Sequence, residues 1–84
     1  MKYTVVGTTL ADDQLARLWL TASDRQKVSD AFDRVESALK NDAHIAGRLH
    51  PGGWRVIAEA PIIVSFTVSQ QDRLVTILSV AYHP

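Results

Sequence analysis

The sequence predicts an α+β domain of order β-α-α-β-β-β, a helical hairpin packed on a mostly antiparallel four-stranded sheet. Three observations predict it. The run IIVSFTV, Ile62 to Val68, has apolar or β-branched residues at six of its seven positions. Between Val28 and Leu39 the apolar residues recur at helical spacing, one or two turn residues after an earlier helical pattern. Turn-forming residues then separate three β-prone runs in the second half of the chain.

Taken in order, Tyr3, Thr4, Val5 and Val6 form a short β-prone run that Gly7 ends, and an edge of the sheet is its natural place. Thr9 can cap a first helix, with Asp12 at the third helical position. Leu15, Leu18, Trp19 and Ala22 fall on one face of it and should lie on the sheet. Leu20 falls off that stripe, and Asp13 precedes Arg17 by four, the favourable order for an exposed ion pair. Ser23 followed by Gln26 reads as a capping box for a second helix, antiparallel to the first. Val28, Ala31, Phe32, Val35, Ala38 and Leu39 form its apolar stripe, with Phe32 and Val35 expected to be buried where it meets the sheet. Asp30 with Arg34 and Glu36 with Lys40 would pair on its wet face.

The segment AHIAGRLHPGG reads as a loop. From Trp54 to Glu59 a strand would place Trp54, Val56 and Ala58 on one side and Arg55, Ile57 and Glu59 on the other. Pro61 separates it from the central strand, in which Ile62, Val64, Phe66 and Val68 share a face. Ser69, Gln70, Gln71 and Asp72 make a hairpin-length turn, and Leu74 to Val80 returns as the third strand of a meander.

Eighty-four residues make one domain, 1–84, with room for a single core. Cysteine is absent, so packing rather than disulfides or thiolate metal sites must hold the fold. The opening MKYTVVGTT is a poor signal peptide, and no run approaches the ~18 apolar residues of a membrane span, so the chain is expected to be soluble and cytoplasmic. Nine bases balance nine acids, which removes the global basic footprint of a nucleic-acid binder. The balance tilts locally: residues 9–42 hold five bases against seven acids, and residues 43–84 hold three bases against two acids plus His44, His50 and His83. An anionic ligand is therefore better sought in the second half.

No nucleophile motif, phosphate-cradling glycine loop or metal-spaced cluster occurs, so neither a cofactor nor a metal is expected. Asp12, Asp13 and Asp24 are most simply acids near helix starts, favoured by the dipole. The residues worth weighing are Arg48, His50 and Arg55 before or on the first meander strand, Arg73 on the third, and Tyr82 and His83 at its end. If these share a rim, Arg side chains would fork onto phosphate, and His83 or Tyr82 would move a proton during RNA cleavage by a 2′-hydroxyl. Each has a structural alternative. Arg55 could cover the sheet with its stem or pair with Glu59, and Tyr82 and His83 could form a loose terminus.

The chain resembles the RelE/ParE superfamily of bacterial toxins from type II toxin–antitoxin modules. The stretches DDQLARLWL, RLHPGGWRV, IIVSFTV and LVTILSVAYHP carry the resemblance, in order and spacing, over nearly the whole chain. It implies a cognate antitoxin wrapped over helices and sheet, and hence a hetero-oligomer. Members similar to RelE cleave messenger RNA on the ribosome, and members similar to ParE act on DNA gyrase. By position, Arg55, Tyr82 and His83 would be catalytic; Arg48, His50 and Arg73, from the set read off the residues themselves, would then bind RNA. Ile63 stands where nuclease members commonly have Arg, and the neutral charge also departs from their basic character. A gyrase-type or inactive binder is the alternative this implies.

Overall fold

Ile62, Val64 and Phe66 have no exposed surface in the computed structural model, which describes residues 2–84. They alternate along β4 (Ile62–Ser69), which antiparallel pairing joins to β3 (Arg55–Glu59) and β5 (Leu74–Tyr82). The meander and its central strand are as the alternation predicted. β1 (Thr4–Gly7) lies parallel to β5, with Thr4 beside Leu74 and Gly7 beside Ile77. It does form an edge. The sheet nevertheless has five strands, not four, in the order β1-β5-β4-β3-β2. The extra one, β2 (Arg48–Leu49), arises inside the segment read as a loop. Two residues are too few to show alternation, and the strand exists because His50–Gly53 folds back and the His50 N–H donates to the Trp54 carbonyl at 2.7 Å.

Helices α1 (Thr9–Thr21) and α2 (Arg25–Asp42) cover one face of the sheet. Their caps sit one residue from where sequence placed them. Thr8, not Thr9, caps α1, its Oγ1 accepting from the Ala11 N–H while donating to the Leu78 carbonyl. Asp24, not Ser23, caps α2 through the Lys27 N–H. A carboxylate one position nearer the helix start satisfies an orphan donor and also favours the positive dipole end.

Val28, Ala31, Val35 and Leu39 bury the inner line of α2, and Ala11, Leu15, Leu18 and Ala22 form the corresponding line on α1. Two aromatic residues depart from expectation. Trp19 is 44% exposed, because it lies about 70° round the helix from the centre of that α1 line at ~100° per residue. The Arg25 guanidinium covers its ring at 4.7 Å. Phe32 is only partly buried, facing the space between the helices, whereas Val35 is fully covered. The expected Glu36–Lys40 pair is present at 3.4 Å. Arg34 reaches not Asp30 but Glu59 on β3, at 2.8 Å, while Asp30 accepts from Gln26.

Candidate functional site

The face of the sheet turned away from the helices follows from the pairing register, since directly paired residues point the same way. Arg48, Val56, Ser65 and Ser79 form one row across it, and Thr67 with Thr76 forms the next. Ser65 and Ser79 hydrogen-bond to each other through their hydroxyls. Ile63, opposed by Ala58 and Ala81, completes a floor of hydroxyl, methyl and aliphatic groups. Arg48, on the two-residue edge strand, is the charged residue of these rows.

At the Arg48 end, the turn His50–Gly53 stacks the His50 ring on Trp54, with centroids 4.0 Å apart and planes 13° off parallel. Gly52 is required there. A Cβ at that position would strike the Trp54 ring, and the Gly52 N–H donates to His50 Nδ1 at 3.2 Å. Arg55, next along, belongs to the opposite face with Ile57 and Glu59. Its Nε donates to the Ala46 carbonyl at 2.8 Å and its Nη2 to Gly47 at 3.4 Å. The guanidinium thus fastens the α2–β2 connection to the sheet. Glu59, the partner considered for it, binds Arg34 instead.

Tyr82 and His83 lie elsewhere. Tyr82 pairs with Ile62 and Arg55 with Phe66, so the two are four positions apart along β4 and on opposite sides of it. At about 3.3 Å per residue and about 4.8 Å per strand, their Cα atoms are about 16 Å apart. Tyr82 faces the α1–α2 turn, lining a cavity with Ser23, Asp24 and Lys27. The His83 N–H donates to the Pro61 carbonyl at 2.6 Å, which continues the strand pairing past Tyr82.

Arg73 stands alone at the β4–β5 turn. Its backbone takes φ = 52°, and its guanidinium lies 5.8 Å from the centre of the Tyr3 ring, with a buried Nη1 that finds no hydrogen-bond partner among the described residues. Tyr3 itself is buried and donates to Gln70 Oε1 at 2.8 Å. Its single proton being so used, it accepts from His44 Nδ1 at 3.2 Å. This cluster ties the end of α2 to the turn.

The six expected site residues therefore fall into three places. Arg48, His50 and Arg55 share one end, Tyr82 and His83 another, and Arg73 a third. Trp54 was missed as a site residue, although His-Pro-Gly-Gly-Trp carries a usable signal, a tight turn that returns one ring to the other. Also missed was an apolar groove of about 500 Å³ between the helices, with Leu15, Trp19, Leu20 and Phe32 along it and Asp12 and Asp33 at its rim. Among the described residues no group of three or more His, Asp or Glu could hold a metal, and no helix is long and apolar enough to cross a membrane.

No protein-family model matches the sequence, and no curated protein matches it. Its fold does match solved structures. Over 99% of this chain and 93% of the other, it superposes with TM-score 0.82 and 17% identity on a chain of the toxin–antitoxin complex RelBE2 from Mycobacterium tuberculosis. A chain of the chromosomal ParDE system from P. aeruginosa gives 0.74 at 17% identity, over 99% and 98% of the two chains. A chain of the YoeB–YefM complex from Staphylococcus aureus gives 0.65 at 15% identity over the full length of both. At these identities the likeness establishes a shared fold, the one the sequence resemblance implied.

Proposed function

We propose, on the premise of a fold shared with chains from toxin–antitoxin complexes, that this protein is the toxin of a type II toxin–antitoxin pair, held in check by a cognate antitoxin. We further propose that it acts by binding a protein target, as a gyrase-type toxin does, rather than by cutting RNA. One observation carries this choice: Arg55, expected to bind phosphate, and Tyr82, which with His83 was expected to move the proton, stand about 16 Å apart at their Cα atoms. General acid–base help requires hydrogen-bond reach, directly or through one water. Arg55 is also already engaged with two backbone carbonyls.

A second reading has one feature in its favour. Arg48 beside the stacked His50–Trp54 pair offers a cation and an aromatic surface, the combination that holds unpaired bases. Under this reading the protein is a ribosome-dependent endoribonuclease in which Arg48 and His50 hold messenger RNA. The test is inducible expression in a bacterial host with and without the neighbouring gene, scoring growth, transcript ends and DNA damage. Growth arrest with DNA damage and intact transcripts, relieved by the neighbour, is the expected result. Transcript cleavage abolished by His83→Ala would overturn the binding mechanism, and normal growth at full expression would overturn the toxin assignment.

A further inference from the structure

The open face of the sheet carries almost no charge. Both helices lie on the other side, so among the described residues no element covers it. Val6, Thr76 and Thr67 form one row across β1, β5 and β4. Trp54, one position before Arg55, turns to the same side as Val56. With Ile63 further along β4, the surface is a pleat of β-branched side chains with an indole at one corner. No Asp or Glu stands in these rows, and Arg48 is their one permanent charge, out on the edge strand.

That composition selects among occupants. Ser65 and Ser79 already spend a hydrogen bond on each other, so covering the pair costs less than covering two free hydroxyls. A nucleic-acid strand or an anionic membrane would want several cations, and the face offers one, because Arg55 is turned away and held by Ala46 and Gly47. A second copy suits it better. Its pleat has the same pitch, it brings no acid to be desolvated, and two such faces pack about 10 Å apart with their side chains interdigitated. Four strand spacings by the eight residues of β4 give about 19 by 26 Å, hence about 500 Å² per copy and about 1,000 Å² for the pair. This is the lower bound for a specific contact, so the association should be reversible, with a dissociation constant in the micromolar range or above.

We propose that two copies of the chain pack open face to open face as an aligned sandwich, with Trp54, Thr67 and Ile63 in the contact and a two-fold axis along the strands. That axis lays β2 of one copy over β1 of the other and keeps the two Arg48 side chains on opposite rims, about 19 Å apart. An axis across the strands would stack β2 on its own copy and set Arg48 against Arg48. The inference is independent of the toxin reading.

The test is sedimentation of the full chain between about 1 μM and about 1 mM, beside NMR of its two tryptophans, which report separately on the open face and on α1. A monomer–dimer equilibrium is expected, with the Trp54 indole N–H shifting on dilution and that of Trp19 unmoved. Thr67→Lys, which brings a cation from each copy into the contact, should weaken the dimer at least about tenfold with no change in circular dichroism, whereas Thr67→Val should keep it. Leu20→Lys, on the exposed side of α1, should leave it intact. A chain that stays monomeric to about 1 mM overturns the proposal, whether or not an RNA oligonucleotide then moves Trp54. So does a dimer that survives Thr67→Lys, one that Leu20→Lys abolishes, or one whose dissociation shifts Trp19 and not Trp54. The dilution experiment needs no variant, so a misfolded Thr67→Lys protein would not shelter the proposal.

Discussion

Phe32 and Phe66 share a side chain and differ in surroundings, so truncating each measures the packing directly. Phe66 has no exposed surface and lies between Arg55 on β3 and Ile77 on β5, under the helices. Phe66→Ala empties a closed site and should cost about 3–5 kcal/mol, the sum of lost transfer energy and a cavity that the sheet cannot collapse. Phe32 is open to the groove on one side. Its truncation forfeits only part of the ~1.5–3 kcal/mol of a buried apolar side chain and enlarges a space water already reaches, so about 1–2 kcal/mol is expected. Against a total of about 5–15 kcal/mol, only the first threatens folding. Urea unfolding followed by far-ultraviolet circular dichroism separates them. With a slope of about 1–1.5 kcal/mol/M, Phe66→Ala should lower the midpoint by at least about 2 M and Phe32→Ala by about 1 M. Equal shifts, or a larger one for Phe32→Ala, would refute the assignment of inner and outer faces to α2.

Further outcomes follow from individual contacts. Arg55→Ala should destabilise by about 1.5–3 kcal/mol through loss of charged hydrogen bonds to Ala46 and Gly47, seen as a lower unfolding midpoint; an unchanged midpoint would return Arg55 to the candidates for ligand binding. Asp24→Ala should cost about 1 kcal/mol by uncapping α2, and Asp24→Asn much less, in the same unfolding assay. Arg34→Ala should change stability by less than about 1 kcal/mol, because its pair with Glu59 is solvent-exposed, and a shift beyond that would show the pair to be better shielded than its surface suggests. Gly52→Ala should unstack His50 from Trp54, read as a change in Trp54 fluorescence with little loss of helix signal.

Where burial acts on several consecutive turns or pleats, the sequence was informative. Ile62, Val64 and Phe66 declare a one-sided strand, and Val28, Ala31, Val35 and Leu39 a one-sided helix, because each repeats its environment three or four times. Trp19 misled for the converse reason. Apolar spacing identifies a stripe but not its width, and a residue about 70° off centre reads as core whether it meets the sheet or stands exposed. β2 gave no signal because two residues have no period. The site suffered most. Whether Arg55 and Tyr82 share a rim depends on register along β4, which side-chain alternation fixes only to the nearest two residues. His50 with Trp54 was open to inference, since a five-residue turn brings its ends together locally.

β1 acquires its strand partner only across seventy positions of chain, Thr4 lying beside Leu74. Until Leu74 to Ile77 leave the ribosome, the first strand has nothing to pair with, and α1 lacks the strand on which it mainly rests. Such pairings close late and slowly, because the entropy of the long loop is paid before any contact rewards it. A nascent chain interrupted before β5 cannot be a smaller version of this protein. It exposes the apolar sides of α1, α2 and β4 together, so a premature stop yields a substrate for chaperones and proteases. The topology makes the folded state an all-or-none property of finished synthesis.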